Sequence, residues 1–87
     1  MGLERLVEGW KVDDNSLVKK FTFKDFNEAL GFIVRVGIVS EQHNHHPTIE
    51  NTYNEVYLKL TTHDKGNTIT EKDYSLADEI NGLIMTK

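Results

Sequence analysis

Apolar residues change their spacing several times along the chain, and each change predicts an element. Leu3, Leu6, Val7 and Trp10 fall at helical intervals, but so short a run does not stand alone and is expected to form a turn or two leading into a strand. Trp10-Lys11-Val12, the polar group Asp13-Asp14-Asn15-Ser16, and Leu17 to Phe23 read as strand, turn, strand, with Leu17, Phe21 and Phe23 on a shared face. From Lys24 to about His43 the period becomes helical. Phe26, Leu30, Ile33, Val34, Gly37 and Ile38 define one apolar face, while Ala29, Phe32, Val36 and Val39 define a second. A helix apolar nearly all round must be covered on both sides, and in a small chain one sheet covers only one of them. The other side is expected to pack on a second subunit, which predicts a homo-oligomer with residues 24–43 in its interface.

After Pro47 the pattern is extended: Thr48 to Asn51, a bend at Thr52 to Asn54, then Glu55 to Thr62. Val56, Leu58 and Leu60 alternate with Tyr57, Lys59 and Thr61, the period of a strand buried on one face. Asp64-Lys65-Gly66-Asn67 is a turn, and Thr70-Glu71-Lys72-Asp73 resembles a capping box with Asp in the usual Glu place. Leu76, Ala77, Ile80, Leu83 and Ile84 supply the stripe of a last helix. The order predicts an α+β fold, with helices packed on one face of an antiparallel sheet.

Length and composition narrow the possibilities. Eighty-seven residues make one domain, 1–87, too short for two independent cores. The net charge is -4, and Lys19-Lys20 is the sole pair of adjacent basic residues, so direct nucleic-acid binding is not expected. The chain has no cysteine, which removes disulfide scaffolds, Cys-rich zinc modules and thiol nucleophiles. The apolar stretch Leu30 to Val34 ends at Arg35, far short of the roughly 18–20 residues of a membrane span. The N-terminus has an early Glu4 and no apolar h-region, so no secretory signal is read there and a cytoplasmic location is expected. Gly2 is not read as a myristoylation site, because Leu6 stands where that pattern needs Ser or Thr.

The histidines are the informative feature. His43, His45 and His46 stand close together before Pro47, and His63 follows the next long strand. The residue before a proline is pushed out of the helical region, so His45 and His46 are expected on an irregular link, where scaffolds present reactive groups. His63 shares strand parity with Tyr57, Lys59 and Thr61, which would put it on the open side of the sheet if the strand runs that far. Three readings stay open on spacing alone: imidazoles exchanging protons with a small molecule near neutral pH, a metal site, or solvated loop histidines. Glu41, in the last turn of the long helix, is disfavoured there by the helix dipole and is a candidate to orient a nearby His or a substrate N–H. Trp10 reads as core, Tyr53 and Asn54 as turn structure, and Lys72 and Asp73 as capping and surface charge.

Taken together, Glu41-Gln42-His43-Asn44-His45-His46-Pro47, then Asn51-Thr52-Tyr53-Asn54-Glu55-Val56, then Leu60-Thr61-Thr62-His63 resemble the pterin-4a-carbinolamine dehydratases. Gly9-Trp10, Phe21 to Asn27 and Asp73-Tyr74-Ser75-Leu76-Ala77 extend the resemblance over nearly the whole chain. It implies a four-stranded antiparallel sheet with helices on one face, assembled through the long helix into dimers or tetramers. It implies a hydro-lyase that removes water from 4a-hydroxytetrahydrobiopterin to give quinonoid dihydropterin, with no metal or organic cofactor. By position, the resemblance assigns catalysis to His45, His46 and His63, and substrate binding to Glu41, Asn44 and Trp10. The chain departs from the family at Ile49, where Trp is frequent, and at Lys72, where some members have Arg. An alternative is a pterin-binding or helix-docking interaction module, since some family members stabilise the dimerisation helices of a transcription factor.

Overall fold

The computed structural model describes residues 7–85. The readings placed on Gly2, Leu3, Glu4 and Leu6 lie outside the described residues. Val7 to Trp10 form a turn, closed by the Trp10 N–H donating to the Val7 carbonyl at 3.0 Å.

Strands β1 (Lys11–Asp13) and β2 (Ser16–Thr22) make the expected hairpin. Asp14 and Asn15 both adopt positive φ, 54° and 61°, as a two-residue turn that follows the strand twist requires. Helix α1 (Phe26–His43) comes next, then β3 (Thr48–Thr52), β4 (Glu55–Leu60) and helix α2 (Glu71–Met85). The sheet order is β1-β2-β4-β3, with every neighbouring pair antiparallel.

Helix α1 begins at Phe26 rather than Lys24 because Asp25 caps it. The Asp25 carboxylate accepts from the Glu28 N–H at 2.9 Å, and the Glu28 carboxylate accepts from the Lys24 N–H at 3.0 Å. It stops at Asn44, which turns left-handed (φ 53°, ψ 42°) and donates its N–H back to the helix.

Of the two apolar faces predicted on α1, the one carrying Ala29, Phe32, Val36 and Val39 is buried on the sheet. Phe26, Leu30, Val34 and Ile38, at four-residue intervals on the other face, remain 43–56% exposed. Val56, Leu58 and Leu60 of β4 point into the core and are fully buried, as the alternation predicts. They meet Leu17 and Phe21 of β2 and Leu76, Ala77 and Ile80 of α2. Burying each large aliphatic side chain contributes about 1.5–3 kcal/mol. The layer between sheet and helices therefore dominates the fold. No helix among the described residues is long and apolar enough to cross a membrane.

Candidate active site

Three segments meet at one end of the molecule: the link from α1 to β3, the chain just beyond β4, and the first turn of α2. Between them lies an open cleft of about 370 Å³, with His45, His46, His63, Asn44 and Lys72 in its walls. Each segment reaches the cleft for a local reason. The left-handed Asn44 ends α1 and, with Pro47 close behind, holds His45 and His46 in irregular backbone. Strand β4 ends at Leu60, two residues earlier than its predicted end. Thr62 instead forms a bridge with Thr68, its N–H donating to the Thr68 carbonyl at 2.9 Å. His63 therefore does not continue the strand as its parity suggested. It opens a 3-10 turn over His63–Lys65, terminated by Gly66 at φ 79°, a conformation glycine adopts without strain. The turn still delivers His63 to the cleft.

Each of the three histidines has one ring nitrogen tied to the protein. His45, 8% exposed, places Nε2 at 2.6 Å from Asp73 Oδ1. His46 Nε2 lies 2.9 Å from Glu41 Oε1, with both side chains largely exposed. His63 Nδ1 lies 2.7 Å from Asn67 Oδ1. The second ring nitrogen of each has no protein partner among the described residues, which leaves it for a molecule in the cleft. His43, the fourth histidine, points elsewhere and pairs with Glu79 at 3.5 Å.

Asp73 caps α2 as its sequence position predicts, but it is not the surface charge expected there. As the cap, its Oδ2 accepts from the Thr70 N–H at 2.8 Å. The side chain is nevertheless completely buried, and Oδ2 also accepts from the Thr62 hydroxyl at 2.8 Å. Thr62 in turn lies 2.7 Å from the Thr70 hydroxyl. Because Thr62 donates to Asp73, that contact runs from Thr70 to Thr62. A buried carboxylate needs such donors to offset its desolvation. With two donors fixed on Oδ2, Oδ1 is the atom that accepts from His45 Nε2–H. His45 then keeps its lone pair on Nδ1 until it takes up a proton.

The residues assigned to substrate binding divide. Asn44 lines the cleft and Glu41 reaches it through His46. Trp10 does not join them. It is 9% exposed in the core, edge-on to Phe21 at 6.1 Å between ring centroids, and its indole N–H donates to Asn81 Oδ1 at 3.0 Å. This is the core role its apolar spacing suggested, and within one chain it is not a wall of the cleft. Ile49 is part-exposed on the edge strand β3. Among the described residues no group of three or more His, Asp or Glu side chains is arranged to hold a metal ion.

The sequence profile of the family described as pterin 4 alpha carbinolamine dehydratase matches residues 2–83. A protein of Prochlorococcus marinus subsp. pastoris, named provisionally for that activity, is 41% identical over 81 residues, covering 93% of this chain and 83% of its own. A similarly named protein of Rhodopseudomonas palustris is 42% identical over 81 residues, covering 91% and 79%. Among solved structures, a transcriptional coactivator/pterin dehydratase from Brucella melitensis superposes with a TM-score of 0.82 at 36% identity, over 87% of this chain and 82% of that one. A pterin dehydratase-like protein identified as a RuBisCO assembly factor of the alpha-carboxysome shares the fold, with a TM-score of 0.71 at 20% identity over 90% and 89% of the two chains. By the span of the profile match and the identity of these relatives, the chain belongs to the pterin 4 alpha carbinolamine dehydratase family.

Proposed function

We propose that the protein is a dehydratase acting on a 4a-hydroxytetrahydropterin, of which 4a-hydroxytetrahydrobiopterin is the expected example. The observation that carries this reading is the cleft with three imidazoles, each tethered at one nitrogen and open at the other. The reaction needs one proton delivered and one removed. The C4a hydroxyl leaves as water once an acid protonates it, and the N5–H bond gives up its proton as an N5=C4a double bond forms. No net proton is consumed, so a base and an acid in opposite states suffice.

His45 suits the base. A proton taken on Nδ1 makes an imidazolium whose Nε2–H already points at the buried carboxylate of Asp73. His63, held by a neutral amide, suits the acid that protonates the leaving hydroxyl. His46, held by the exposed Glu41, suits substrate positioning, with Asn44 beside it. Kinetics of single alanine variants separate these roles. His45→Ala and His63→Ala should lower kcat by about 10²- to 10⁴-fold, while His46→Ala should chiefly raise KM. Equal losses in kcat for all three would refute the division.

The protein is also proposed to be a homodimer or homotetramer joined through α1. The support is the unpartnered stripe of Phe26, Leu30, Val34 and Ile38, which would cost solvation energy if left in water. The same stripe favours the second reading, a helix-docking module without physiological turnover. Turnover that depends on His45 and survives in a variant with a polar stripe would exclude it.

A further inference from the structure

A carboxylate that is completely buried, as Asp73 is, keeps its charge only where donors replace the water it has lost. Asp73 has three: the Thr70 N–H and the Thr62 hydroxyl on Oδ2, and His45 on Oδ1. The Thr70 N–H belongs to the backbone of the α2 cap, and His45 has a second task at the cleft. The Thr62 hydroxyl serves no other acceptor. Its direction is fixed from both ends. An ionised Asp73 can only accept, so Thr62 donates to it; the Thr62 oxygen then accepts from the Thr70 hydroxyl at 2.7 Å, and Thr70 in turn accepts from the Lys72 N–H at 3.3 Å. Every link points its proton toward Asp73, and links aligned in this way polarise one another.

Backbone bonds hold Thr62 in place for this role. Its N–H donates to the Thr68 carbonyl at 2.9 Å and its carbonyl accepts from the Asn67 N–H at 3.1 Å. Thr62 is 2% exposed, so it acts on the carboxylate rather than on a molecule in the cleft. The other titratable groups of the neighbourhood are His46 with Glu41 on the link after α1, His63 and Asp64 on the turn after β4, and Glu71 and Lys72 on α2. All six stand at exposed positions, where water and salt screen them. Removing a donor from a carboxylate makes its charged form less favourable. Without the Thr62 hydroxyl, the Asp73–His45 pair would hold a proton up to a higher pH, and a protonated His45 has no lone pair for a substrate.

We infer that Thr62 is a positioning residue for the proposed dehydration: its hydroxyl stabilises the buried charge of Asp73, and so leaves His45 free of a second proton and able to act as the base. The task given to His45 rests on the dehydratase reading; the state of its ring does not.

The test is Thr62→Val, which removes the hydroxyl at nearly constant shape, beside Thr62→Ser, which keeps it. In Thr62→Val the acid limb of kcat/KM should move up by about one pH unit. Turnover below the limb then falls about tenfold and recovers at higher pH, while the alkaline limb, assigned to His63, stays in place. Thr62→Ser should keep the wild-type acid limb. A loss of turnover equal at every pH, an unmoved limb, or a Thr62→Ser profile like that of Thr62→Val would overturn the inference. Ring ¹⁵N shifts of His45, titrated in the substrate-free protein, should show the same displacement. They test the inference even where the wild type has no dehydratase turnover, a result that would refute the functional reading alone. If Thr62→Val fails to fold, Thr70→Val, at a half-buried position, is titrated instead. It takes away the link that polarises Thr62, so a displacement in the same direction of about 0.2 unit is expected; none, or one to lower pH, would overturn the inference.

Discussion

Replacing Asp73 by Asn changes one atom and tests how the carboxylate acts on His45. In the native protein Oδ2 accepts from the Thr62 hydroxyl and the Thr70 N–H, each at 2.8 Å, and Oδ1 faces His45 Nε2 at 2.6 Å. The two fixed donors force the asparagine oxygen into the Oδ2 position, which turns its NH₂ group toward His45. An NH₂ group is a donor only, so Nε2 must present a lone pair and the imidazole proton moves to Nδ1. The nitrogen that faced the substrate as a base becomes a donor. Loss of a general base costs about 10²- to 10⁴-fold in kcat, and a wrong-tautomer substitution in a comparable carboxylate–histidine pair lies near the upper end. Stability should fall less. Exchanging a charge-assisted hydrogen bond for a neutral one costs about 1–2 kcal/mol, a decrease in Tm of roughly 4–15 °C for a domain this small. The assay is turnover at a temperature where both proteins are folded, paired with ¹⁵N shifts of the His45 ring. A folded variant with wild-type turnover, or with the native tautomer and lost turnover, would refute the reasoning.

Three further outcomes follow from the same geometry. Val34→Glu, in the middle of the exposed stripe of α1, should reduce the assembly seen by light scattering to a smaller species. An unchanged mass would remove α1 from the interface. Asn44→Ala places at φ 53° a residue without the short polar side chain that makes Asn tolerant of the left-handed region, costing about 1–2 kcal/mol, and should lower turnover because His45 is the next residue. A variant with native Tm would show that the cap carries no strain. Ser40 is completely buried and its hydroxyl has no hydrogen-bond partner among the described residues. Ser40→Ala should therefore leave stability unchanged or raise it by about 1 kcal/mol, and a clear fall in Tm on thermal denaturation would contradict that.

Much of this architecture is legible in the sequence because burial imposes a period. The alternation of Val56, Leu58 and Leu60 gives the buried face of β4 directly, and the polar group at 13–16 gives the first hairpin. The two apolar faces of α1 are equally visible, but sequence does not say which one the sheet covers, since both are apolar. The side of the sheet on which His63 stands does not follow from its parity, because parity carries no information about where pairing stops. The end is set by the bridge from Thr62 to Thr68, a contact between polar residues. The burial of Asp73 has a signal in the sequence. The residue precedes Leu76, Ala77 and Ile80 at helical intervals, which puts it on the buried stripe of α2 rather than toward solvent. A carboxylate on such a stripe needs a partner, and the nearby histidines are the natural one.

The central claim is that this cleft removes water from a 4a-hydroxytetrahydropterin. Its most direct test uses chemically generated 4a-hydroxytetrahydrobiopterin and follows quinonoid dihydropterin formation against the spontaneous background, with wild-type protein and with His45→Ala. Acceleration by the wild type that the variant loses is the predicted result; a folded, assembled wild-type protein that leaves the background rate unchanged would contradict it.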